Sequence, residues 1–154
     1  MKTNRSILLS IIVCWVVSAV LSVLVFAGPK LFEIYMTVYR GFLPDGEAIK
    51  MLSKVFAFCF YPSAAFAAIM LYSLLRLLYN IRNEETFIPQ NVRALRVVSW
   101  GCFAIALITL AGGFFYMPML PVSAAGFFTG MLLRVLKNVM QSAVEIREEN
   151  DLTI

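Results

Sequence analysis

The chain has 154 residues, of which 61% are apolar and 14% charged, with a formal net charge of +4. Soluble domains carry about 45–50% apolar and about 25% charged residues, so a soluble enzyme, a disordered chain and a secreted disulfide scaffold are excluded. A single domain of this length cannot bury so much apolar surface by itself, and the composition calls for a bilayer.

A membrane span needs about 20 mostly apolar residues, because the hydrocarbon core is about 30 Å thick and a helix rises 1.5 Å per residue. Residues 7–27 form the first predicted span, with no charge inside it. Lys2 and Arg5 precede it as in a signal peptide, but 21 apolar residues exceed the usual 7–15. An uncleaved span is expected. Residues 28–54 then form the long outer loop. Within it, Leu31, Phe32, Ile34, Tyr35, Val38 and Tyr39 share one broad helical face. That face reads as an extension of span one with interfacial tyrosines; a receptor surface for an extracellular ligand is the functional alternative. Residues 41–46 carry turn chemistry.

Residues 55–75 form the second predicted span, and residues 80–91 break it and begin a new segment. Val92, Leu95 and Ser99 then fall on one stripe, with Arg93 and Arg96 off it and Trp100 near the headgroup level. Residues 97–117 form the third span. Pro118 and Pro121 predict a tight turn into the fourth, residues 119–136. Leu132, Val135, Leu136, Val139, Met140, Ala143 and Ile146 continue the helical period, so helix four is expected to project into the cytoplasm to about residue 149.

The fold class predicted is all-α: a four-helix integral membrane bundle. Lys2, Arg5, Arg76, Arg82, Arg93, Arg96, Arg134, Lys137 and Arg147 fall on the side of the termini, and Lys30, Arg40, Lys50 and Lys54 on the other. This bias places both termini in the cytoplasm. The positive charge is thus a topology signal, and direct nucleic-acid binding is not expected.

Four acids, Glu145, Glu148, Glu149 and Asp151, crowd the end of helix four beside one base, Arg147. An acidic helix C-terminus opposes the macrodipole. Compensation is expected from the chain's own Arg76, Arg82, Arg93 and Arg96, or from a basic partner. Candidate partner-binding residues are therefore Glu145, Arg147, Glu148, Glu149 and Asp151, with Arg93 and Arg96.

The chemistry of catalysis is sparse. The chain has no histidine, and Cys14, Cys59 and Cys102 lie in three different spans without metal-ligand spacing. No acid or base falls within residues 7–27, 55–75, 97–117 or 119–133, against the usual need of coupled transporters. No enzyme activity, cofactor or metal is expected. Gly126 and Gly130 make a GxxxG match, and Ala64 and Ala68 a looser one. Such residues let helix backbones approach closely, either within one bundle or in a homodimer.

The segment Phe87-Ile88-Pro89-Gln90-Asn91-Val92-Arg93-Ala94-Leu95-Arg96, together with the ending Ala143-Val144-Glu145-Ile146-Arg147-Glu148-Glu149-Asn150-Asp151-Leu152-Thr153-Ile154, resembles the YoaS-like bacterial membrane proteins. The resemblance covers essentially the whole chain. It implies four spans in the bacterial inner membrane and a gene often placed beside a small helix-turn-helix regulator of the Cro/C1 type. A partner of that kind is expected to meet the acidic arm. A sensor or immunity role toward a membrane-active agent through the outer loop, or a structural role, are the alternatives.

Overall fold

The computed structural model describes the backbone of residues 2–39 and 46–151, with side chains over 6–38, 47 and 49–150. Four helices account for nearly all of it: α1 (Lys2–Tyr39), α2 (Gly46–Arg82), α3 (Pro89–Gly113) and α4 (Met119–Asp151). All four are long and apolar enough to cross a membrane. The shortest, α3, has 25 residues and so measures about 38 Å, which exceeds the hydrocarbon thickness.

The helices pack in chain order, α1 on α2, α2 on α3 and α3 on α4. Among the described residues no Cα of α1 comes within 8 Å of α4. Helix α1 therefore stands at one flank, and Leu9, Ile12, Trp15 and Val17 are exposed over about half of its circumference. In water such a surface would be unfavourable by roughly 25 cal/mol per Å². Against lipid tails it carries no such cost, so the apolar helices suit bilayer contact.

Residues 29–39 extend span one as a helix, as expected, whereas residues 46–54, expected as loop, open α2. Helix α1 runs through Pro29 to Tyr39, and α2 begins at Gly46. The turn expected over residues 41–46 lies, up to Asp45, outside the described residues. An interior proline removes one helix hydrogen bond, yet the turns beyond it are held by burial. Met36 is fully buried, and the Phe32 ring stacks on Phe56 with centroids 4.1 Å apart. Phe32 also meets Tyr116 edge-on at 5.6 Å, which ties α1 to the α3–α4 turn. Gly28 permits the α1–α2 crossing: a Cβ there would lie 3.1 Å from the Phe60 ring.

The third helix ends at Gly113, four residues before the expected boundary, and α4 begins at Met119. Gly112 supplies the reason. Its carbonyl accepts from the Phe115 and Tyr116 amides at 3.0 and 2.9 Å, which tightens the chain into a turn. Pro121 does not stop the helix; it sits in the first turn of α4, where an amide has no intrahelical partner to lose.

Helices α3 and α4 meet along small residues. A Cβ on Gly126 would lie 3.0 Å from the Ala106 Cβ, and one on Gly130 3.3 Å from the Cys102 Cβ. Two buried hydroxyls cross the same seam. Ser99 Oγ donates to the Gly130 carbonyl at 2.9 Å, and Ser123 Oγ to the Ala106 carbonyl at 2.8 Å. The GxxxG pair is thus engaged within the chain. The looser pair is split: Ala64 is buried and Ala68 exposed.

Candidate functional site

The charged end of the molecule is built on the α2–α3 connection. Helix α2 closes with Glu84 in the left-handed region, φ 66°. The Glu84 amide donates to the Ile81 carbonyl at 3.1 Å and the Glu85 amide to the Asn80 carbonyl at 3.0 Å. This is the Schellman pattern, usually closed by glycine. After it the chain must reverse into α3, which opens on Pro89, where a missing amide costs nothing.

Asn91 holds the reversal. Its side chain is fully buried. Its Nδ2 donates to the Glu85 and Thr86 carbonyls, both at 2.8 Å, and its Oδ1 accepts from Asn80 Nδ2 at 2.8 Å. Beneath it Leu77, Ala94 and Leu95 form a small core, with Leu133 and Met140 of α4 packed against it. Helix α4 is therefore not a lone arm, because α3 braces it from Leu133 through Met140 to Val144. Sequence reading placed Val92, Leu95 and Ser99 on one inward stripe, and all three are buried with Arg93 and Arg96 outside it. It passed over Asn91. The signal available was an asparagine two residues after a helix-opening proline, where a polar side chain can serve the preceding loop.

The continuing stripe on α4 faces differently from the expected one. Leu132, Val135, Leu136, Val139 and Ile146 are exposed. Leu133 and Val144 turn toward α3 together with Met140, the member of the expected stripe that does pack inward. Both sets recur at helical spacing, so period alone does not choose between them.

The candidate residues separate into two groups. Arg93 and Arg96 of α3 line one open cleft with Gln141, Glu145 and Glu148 of α4, about 300 Å³ in volume and floored by Val92 and Val144. Spacings of three on α3 and of four and three on α4 put these side chains on facing surfaces. Gln141 Nε2 donates to Glu145 Oε1 at 3.0 Å and orients that carboxylate. Arg147 and Glu149 are exposed on other faces of α4, and the Asp151 side chain lies outside the described residues. The antiparallel arrangement also answers the macrodipole problem. The positive N-terminal end of α3, at Pro89, borders the same cleft as Glu145 and Glu148.

One level closer to the hydrocarbon, the Arg134 guanidinium lies over the Trp100 ring at 5.3 Å, a cation–π contact that suits a headgroup boundary. Among the described residues no group of three His, Cys, Asp or Glu side chains is placed to hold a metal ion. Cys14, Cys59 and Cys102 are free thiols, each buried on its own helix.

A family profile described as "Protein of unknown function (DUF2975)" matches residues 35–154. The chain belongs to this family. The DUF2975 match takes in α2, α3, α4 and the whole charged end, and it starts near the end of α1. No curated protein and no solved structure matches the chain. A DUF2975 member of this architecture is a multi-pass membrane protein.

Proposed function

We propose that this protein is a non-enzymatic protein of the bacterial inner membrane, with both termini cytoplasmic, that holds a small basic regulator of the helix-turn-helix type at the membrane. The excess of arginine and lysine at the α2–α3 end supports the orientation. The resemblance to proteins encoded beside such regulators supplies the partner class. The observation that carries the reading is the cleft in which Glu145 and Glu148 face Arg93 and Arg96 on a braced platform. A basic side chain entering it meets two carboxylates, while the partner's acids meet the two arginines. DNA and the membrane protein would then compete for the regulator's basic face.

The test is co-purification from native membranes. The neighbouring regulator is expected to come down with the wild-type chain and to be lost from E145K/E148K, whose altered side chains are both exposed. Equal recovery with the variant, or with a chain ending after Gln141, refutes the platform.

A further inference from the structure

A second groove lies between α3 and α2 and shares Arg93 and Arg96 with the cleft toward α4. A pocket of about 250 Å³ is lined there by Tyr72, Ser73 and Arg76 of α2 and by Arg93 of α3, with two guanidiniums on largely apolar walls. Directly below it, sharing Val97, an apolar pocket of about 430 Å³ runs between Phe66, Ile69 and Met70 on α2 and Gly101 and Ala104 on α3, with Arg96 at its rim. The α2 positions 66, 69, 73 and 76 and the α3 positions 93, 97, 101 and 104 each recur at three or four residues. Head pocket and tail pocket are therefore one groove on one face. No carboxylate lines either part. Met70 packs onto Gly101, where a Cβ would lie 2.5 Å from its Sδ, and the hollow is left open beside the small Ala104.

We propose that this groove binds one anionic phospholipid of the adjoining leaflet, with its phosphate at Arg76, Arg93 and Arg96 and one acyl chain along Val97 and Ala104. Charge complementarity selects the occupant: Arg76, Arg93 and Arg96 stand at the mouth of an apolar slot whose own lining holds no acid, Glu145 and Glu148 lying on the α4 side of Arg93 and Arg96. Guanidinium suits phosphate, which it meets through a planar fork of donors. The depth agrees. Lys54 and Arg76 bracket the apolar length of α2 and are 22 residues apart, or about 33 Å along the axis. This is close to one hydrocarbon thickness. The arginines therefore stand at the level of the lipid phosphates. Ala104 lies eight residues from Arg96, about 12 Å deeper, among the acyl chains.

The protein is purified in detergent and titrated with dioleoyl phosphatidylglycerol, dioleoyl phosphatidylcholine or inorganic phosphate, with bound lipid read by native mass spectrometry. Phosphatidylglycerol is expected to bind in preference to phosphatidylcholine, and millimolar phosphate is expected not to displace it. R76Q/R93Q should weaken phosphatidylglycerol binding roughly fivefold per arginine and leave phosphatidylcholine unaffected. A104W, which fills the slot and keeps every cation, should also weaken it. K30Q/K50Q, at the other end of the molecule, should not. Unchanged binding in R76Q/R93Q, equal loss in K30Q/K50Q, no effect of A104W in a protein that melts like the wild type, or displacement by phosphate would each overturn the proposal.

Discussion

Replacing Asn91 by alanine should open the α2–α3 reversal without dissolving the membrane core. The side chain makes three hydrogen bonds of 2.8 Å, to Asn80 and to the Glu85 and Thr86 carbonyls, and is wholly shielded from solvent. A hydrogen bond contributes about 1 kcal/mol net, so the three together are worth about 3 kcal/mol. Glu85 is exposed and Thr86 half-buried, so water can reach part of the vacated site and return some of that. A local cost of about 2–3 kcal/mol corresponds to roughly 30- to 160-fold in an opening equilibrium. The assay is amide hydrogen exchange of the protein in lipid nanodiscs, followed over residues 80–94. Exchange there should accelerate by that factor in N91A, while the α3–α4 seam near Ser123 stays protected. N80A removes a single bond and should accelerate the same amides only about fivefold. Exchange in N91A within about threefold of the wild type would show that the hydrogen-bonded reversal is held by other contacts, and would refute the reasoning.

Two further substitutions probe the same construction. E84G should stabilise the loop by about 1 kcal/mol, because glycine adopts the left-handed conformation at the close of α2 without a Cβ penalty; a lower melting temperature in detergent would count against it. G126L should lower the melting temperature markedly. Its Cβ would start 3.0 Å from the Ala106 Cβ and 3.4 Å from the Cys102 carbonyl oxygen, and overpacking of this kind costs about 1–3 kcal/mol. An unshifted melting curve would mean that α3 and α4 separate at little cost.

Much of the architecture was legible because membrane insertion is a local test. A run of about 20 apolar residues satisfies it whatever its neighbours do, and all four helices were located this way. Helix ends were less legible. Pro29 and Pro121 stand inside helices, one carried through by the burial of Phe32 and Met36, the other in a first turn where its missing amide is harmless. Of the candidate site, the off-stripe position of Arg93 and Arg96 was visible in the period. Their placement opposite Glu145 and Glu148 was not, because those residues are about fifty positions apart and only the α3–α4 register brings them together.

Composition and charge distribution by themselves determined that this is an all-helical chain for a bilayer, with its charges swept out of the apolar runs. Hydrophobicity and charge act residue by residue, so they can be read before folding. Tertiary structure alone decided which of two apolar stripes on α4 turns inward, that Gly126 and Gly130 meet Ala106 and Cys102, and that Asn91 is the closing bond of the charged end. It also decided that Arg76 and Arg93, on different helices, share one groove. Those outcomes depend on how close two backbones can come, and that is settled by the side chains of both helices at once.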